Sequence, residues 1–149
     1  MIDLSETARK INFLSFNTIN EPWNEYKLED GSTLRVKVIL STLIKENGSQ
    51  FAVSFTPVFG VIPNPKLVGI PSPPLKTGEK LEDYMQAEDL KILEKTDLWN
   101  EYEVPTENMR LGIKGEVVLA SRTSRHDEKG LPIYTINVQV LLKPKKKTK

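Results

Sequence analysis

Cysteine is absent from the chain, which removes disulfide frameworks, thiolate metal sites and cysteine nucleophiles together. Histidine occurs once, at His126, so nothing in this chain can rest on two imidazoles. No apolar run approaches the roughly 18 residues that a membrane span requires. The opening Met1-Ile2-Asp3-Leu4-Ser5-Glu6 carries acids and no following apolar block, unlike a secretory leader. A cytoplasmic protein without membrane contact is the expectation. The glycine patterns that cradle phosphates are missing, and no serine stands in a Gly-x-Ser-x-Gly elbow. No catalytic residue, metal ligand or cofactor is therefore assigned, and an enzyme, which would have to gather carboxylates from distant strands, is the least favoured class.

What remains is a globular composition. Of 149 residues, 38% are apolar and 28% charged, enough for one compact domain. The charge is uneven. The formal net charge is +1, from 21 basic and 20 acidic residues. Lys143, Lys145, Lys146, Lys147 and Lys149 crowd the last seven positions; without them 16 basic residues face 20 acidic ones, a net −4. Such a body has no global field to draw it onto a phosphate backbone. The basic tail, 143–149, reads first as a solvated, disordered end that keeps a β-rich protein soluble. Its alternative reading is a nucleic-acid-binding arm.

One unit occurs twice. Both tryptophans lie in the same tetrapeptide, Trp23-Asn24-Glu25-Tyr26 and Trp99-Asn100-Glu101-Tyr102. The first leads through Asp30-Gly31 into Leu34-Arg35-Val36-Lys37, the second through Pro105–Asn108 into Leu111-Gly112-Ile113-Lys114. A polar break and a further strand follow in each: Phe51-Ala52-Val53-Ser54-Phe55 after Asn47-Gly48-Ser49, and Tyr134-Thr135-Ile136-Asn137-Val138 after His126–Gly130. Upstream, Ile11–Leu14 matches Leu90–Leu93. Residues 11–59 and 89–142 thus read as two repeats within a single domain.

The periodicity inside each repeat is that of strands. Leu34, Val36, Val38, Leu40, Thr42 and Ile44 line one face of a strand whose other face begins with Arg35 and Lys37 and continues with Ile39, Ser41 and Leu43. Tyr134, Ile136, Val138, Val140 and Leu142 alternate likewise. The fold class predicted is mainly β: two similar antiparallel units, related by a pseudo-twofold and forming a small barrel or a sandwich. Between them, Pro57, Pro63, Pro65, Pro71, Pro73 and Pro74 with Gly60, Gly69 and Gly78 predict an arm over 60–78 with no regular ladder, laid over a sheet. A short helix over about 79–87, capped by Thr77, follows.

Candidate interaction residues are the aromatics Trp23, Tyr26, Trp99 and Tyr102, either as core anchors or as a surface for a partner or for bases, with the core role preferred. Lys27 is their only close basic neighbour in sequence, which weakens base stacking. Ile39 and Leu43, apolar on the second strand face, form a docking patch. His126, in a polar loop, reads as a solvated hairpin residue, and the acidic pairs Glu82-Asp83 and Glu88-Asp89 as a solvated face. The function expected is a non-catalytic binding or assembly module acting through protein–protein contacts, as a homo-oligomer or in a larger complex. The alternative is a nucleic-acid binder using Lys143, Lys145, Lys146, Lys147 and Lys149.

Overall fold

The structure is a computed structural model, and it describes residues 11–46 and 50–147. Lys149, the Asn47-Gly48-Ser49 turn and the Met1–Glu6 segment lie outside the described residues. The strands in chain order are β1 (Asn12–Leu14), β2 (Asn17–Asn20), β3 (Asn24–Leu28), β4 (Thr33–Lys45), β5 (Phe51–Ile62), β6 (Met85–Ala87), β7 (Ile92–Lys95), β8 (Asn100–Val104), β9 (Met109–His126) and β10 (Pro132–Lys146). They form two antiparallel sheets of five strands, and neither closes into a barrel. The protein is mainly β, with no α-helix of seven or more residues among those described.

Each sheet is organised around one long strand. In the first, β5 pairs along the whole of β4, while β3 and β1 share the opposite edge, β3 against Thr33–Val36 and β1 against Leu43–Lys45. In the second, β10 runs along β9, while β8 and β6 share the other edge, at Met109–Ile113 and Arg122–Thr123. The outermost strands are exchanged. β2 directly precedes β3 in the chain but pairs with β8 in the second sheet, and β7 directly precedes β8 but pairs with β3 in the first.

The hubs β4 and β9 pack face to face, and the crossing is tight. A Cβ built on Gly115 would overlap the Val38 Cγ2, so only one of these two positions has room for a side chain. On either side of the crossing lies one apolar cluster. The first joins Tyr26, Leu28, Leu34 and Val36 to Val117, Ala120 and Tyr134. The second joins Tyr102, Val104, Leu111 and Ile113 to Leu40 and Leu43, with Phe51 and Val53 packed on it. Each cluster thus combines the first half of one hub with the second half of the other, so neither sheet buries its apolar face without its partner. Three ion pairs tie the sheets: Lys95 to Glu116 and, at the two rims, Arg122 to Asp30 at 2.8 Å and Lys45 to Glu107 at 2.6 Å.

Four expectations need correction. The 79–87 helix is a single 3₁₀ turn, Leu81–Tyr84, because Met85–Ala87 is drawn into the β9 ladder. The match of Ile11–Leu14 to Leu90–Leu93 gives way to a pairing equivalence of β1 with β6, both on the far end of a hub, and of β2 with β7. The ladder-free arm begins later than residue 60, since Gly60, Val61 and Ile62 still pair with Arg35, Leu34 and Thr33. Pro57 is tolerated in β5 because that strand is an edge with no further neighbour.

The fourth concerns the tail. Lys143–Lys146 is no loose end: it continues β10, paired with Gly112, Leu111, Arg110 and Met109, and the Lys147 N–H donates to Asn108 O. The arm itself is pinned along its first half. Asn64 donates to Asp30 O, and Gly69 N–H donates to Gly130 O.

Candidate functional site

The repeated tetrapeptide divides its side chains between the two faces of its sheet. Asn24-Glu25-Tyr26 and Asn100-Glu101-Tyr102 open β3 and β8, so alternation sends Asn and Tyr inward and Trp and Glu outward. Tyr26 and Tyr102 are 2% and 0% exposed. Each hub has a gap on its shared edge, between its two short partners, where the ladder is unsatisfied. The Tyr26 hydroxyl fills the gap in β9, donating to Gly115 O at 3.4 Å and accepting the Val117 N–H at 3.2 Å. The gap in β4 is filled by two groups. Asn100 Nδ2 donates to Val38 O at 2.7 Å, and Glu21 Oε2 accepts both the Leu40 N–H at 3.1 Å and the Tyr102 hydroxyl at 2.6 Å. Burial beside that carboxylate pushes the Tyr102 phenol well above its ordinary range.

The tryptophans are half-buried on the outward faces, each against a cation. The Arg35 guanidinium lies 4.7 Å from the Trp23 ring centroid, and Arg35 also pairs with Glu25 at 3.7 Å. Over Trp99 stand the ammonium groups of Lys114, at 5.0 Å, and Lys143, at 5.7 Å. Lys114 is fixed by Asp97 at 2.6 Å, which holds that carboxyl below its usual range. Tertiary pairing therefore supplies the basic neighbours that the sequence around each tetrapeptide lacks, and the objection to stacking drawn from Lys27 alone falls away.

Around Trp99 the outward face of the second sheet forms a trough. Cross-strand partners project to the same side, so Arg110 stands beside Lys145, and Gly112 beside Lys143. The bare Gly112 leaves room for the indole, since a Cβ there would meet Trp99 Cε3 at 3.2 Å. The result is an open hollow of 280 Å³ lined by Trp99, Glu101, Arg110, Gly112, Lys143 and Lys145. At Arg110 and Lys145 it continues into a shallower one of 400 Å³ that also touches Lys146 and Lys147. Glu103 engages Arg110 at 3.1 Å and Lys147 at 2.6 Å, and these cations hold its carboxyl below the ordinary range. Lys143, Lys145 and Lys146 have no carboxylate within ion-pair distance among the described residues.

The equivalent face of the first sheet is built differently. By register, Thr33, Arg35, Gly60 and Ile62 occupy the places of Arg110, Gly112, Lys143 and Lys145. A cation over the indole is common to both. The basic rim is not.

Other sequence candidates fall elsewhere. Ile39 is 38% exposed on the outward face of β4, but Leu43 is 1% exposed inside the second cluster. An irregularity between Leu40 and Thr42 inserts one extra residue, reverses the alternation, and turns Leu43 inward. His126 is no solvated loop residue: it ends β9, its Nε2 lies 2.9 Å from Leu67 O, and its backbone N–H donates to Ser72 Oγ. It thereby clamps the proline arm. Asp83 accepts the Lys80 N–H in the 3₁₀ turn, and no group of three metal-ligating side chains converges among the described residues. Arg110, Gly112 and Lys114 carry one legible signal in the sequence, the alternation Arg110-Leu111-Gly112-Ile113-Lys114, which puts all three on a single face.

Comparison with protein-family models, with curated proteins and with solved structures finds no match to this chain.

Proposed function

We propose that the protein is a non-catalytic binding module made of one β unit present twice and related by a pseudo-twofold, and that it holds nucleic acid on the outward face of its second sheet. The duplication is supported by the reciprocal contacts. Counted from matching hub residues, Asp30 corresponds to Glu107 and Arg122 to Lys45, so the two rim ion pairs are the same contact made in opposite directions. Val38 and Gly115 likewise correspond, and they meet at the crossing, where a twofold axis would pass.

The binding reading is carried by one observation: the lysine run is built into β10 beside a tryptophan-floored trough, and its charges are largely uncompensated. Lys145, placed on the ladder opposite Arg110, raises like-charge repulsion that folding alone would avoid. Ordered cations along a groove are how a protein gathers backbone phosphates by releasing condensed counterions. Electrophoretic retardation of nucleic acid at low salt tests this. Retardation that Lys145→Glu with Lys146→Glu abolishes supports it, and no retardation by the wild-type chain sinks it. Charge reversal is preferable to truncation, because removing 143–146 would also remove strand pairing.

A second reading, assembly through protein–protein contacts, is favoured by the outward face of the first sheet, which exposes Ile39 in β4 and, at the far end of that strand, Phe13 beside its partner Ile44. It predicts an oligomer that Phe13→Asp converts to monomers in sedimentation, and a monomeric wild type contradicts it.

A further inference from the structure

We infer that the Trp99 hollow receives an unpaired base, so that the ligand class of this face is single-stranded nucleic acid; this rests on the nucleic-acid reading above. The hollow is polar at one end in a way that suits a base and not a phosphate. Glu101 lines it beside the indole, and its only cationic partner among the described residues, Arg110, stands 4.0 Å away. A carboxylate there repels phosphate and accepts hydrogen bonds from an exocyclic amino group. The cations free to take a phosphate lie at the other end, where Lys145 and Lys146 line the adjoining hollow beside Arg110 and Lys147, whose charges Glu103 already engages. A nucleotide laid along the trough therefore puts its base on Trp99 and its backbone on β10. Lys143 and Lys145 project to the same face about 7 Å apart, along the direction the backbone would take.

The indole is ready for this exchange. One of its cations, Lys114, is fixed by Asp97, while Lys143 is exposed and without a carboxylate partner among the described residues. The base takes the place of the Lys143 ammonium over the ring, and Lys143 turns to the phosphate. Stacking of this kind tolerates any base, because each presents a π face. A duplex keeps its base faces covered and offers only its backbone. Trp23 does not duplicate the site, since Arg35 over its ring is tied to Glu25, and Thr33 and Ile62 stand where Arg110 and Lys145 would be.

The test uses the full chain carrying Trp23→Phe, which leaves Trp99 as the only tryptophan, titrated with short oligo(dC), an abasic phosphodiester of the same length, and a duplex. Oligo(dC) is expected to quench Trp99 fluorescence. The abasic strand binds about 5- to 150-fold more weakly and without quenching. For engagement of three or four phosphates, the affinity for oligo(dC) falls with salt at a log–log slope of roughly −2 to −3. Trp99→Leu lowers the affinity for oligo(dC) to that for the abasic strand. Equal affinity for oligo(dC) and the abasic strand, or an unquenched indole on binding, overturns the stacking inference and leaves the nucleic-acid reading standing. No binding of any strand at low salt overturns both.

Discussion

Gly115→Ala puts a methyl group where the Val38 Cγ2 already sits. Neither residue can retreat, because each lies mid-strand in a hub, Val38 paired with Pro57 and Gly115 with Val140. Overpacking of this kind costs about 1–3 kcal/mol. Val38→Ala, at a position only 3% exposed, removes two buried methyls. At ~0.8 kcal/mol each this is about 1.6 kcal/mol of transfer, with a further cavity term. The two changes together are not expected to add. The methyl introduced by Gly115→Ala occupies the space vacated at Val38, so the double variant should lie near the cost of Val38→Ala or below it, with a coupling energy of about 1–3 kcal/mol. Urea unfolding of the four proteins gives the cycle directly, provided the m-values agree. Additive effects, or a neutral Gly115→Ala on its own, would mean that the hubs do not meet at these positions.

Further outcomes follow from the buried polar groups. Asp30 is desolvated, which raises its pKa, but the Ser32 N–H, the Tyr134 hydroxyl and Arg122 outweigh this and hold it below the ordinary value. Its contribution is therefore complete above about pH 4 and lost as the pH falls below that. Asp30→Asn should cost about 3 kcal/mol at neutral pH by leaving Arg122 buried and unpaired, and should flatten the acid limb of the stability curve; an unchanged acid limb refutes the assignment. Burial and Asp30 push the Tyr134 phenol up to about 12, so its contribution persists below pH 10 and is lost as the pH rises through 12. Spectrophotometric phenol titration checks this. Tyr26→Phe strands the Val117 N–H in the β9 gap at a cost of about 1–3 kcal/mol, and its exchange protection should fall; unchanged protection would show that another group serves the gap.

The parts legible in sequence are those governed by local alternation. Leu34, Val36, Val38 and Leu40 are readable as the inner face because nothing interrupts the period, while Leu43 and Ile44 exchange faces because a bulge leaves no periodic mark. Tyr26 and Tyr102 are legible as anchors, since a motif used twice must serve the fold in both places. The trough is not legible as a site. Its cations reach Trp99 from two other strands, and Lys143–Lys146, with a proline among them, carries little intrinsic strand preference; β9 recruits it. The exchange of β2 and β7 leaves no trace either, because these strands are only four residues long, too short to carry a periodic pattern, and only their partners across the sheet define them.

The reciprocal two-unit body stands or falls with that exchange. Interstrand NOEs between Thr18 and Tyr102, and between Lys27 and Glu94, report it directly, together with a contact between the Val38 methyls and the Gly115 α-protons. All three should appear in one set of spectra of the intact chain. If Thr18 instead shows strand contacts to β3, or Glu94 to β8, each half pairs only with itself, and no such body exists.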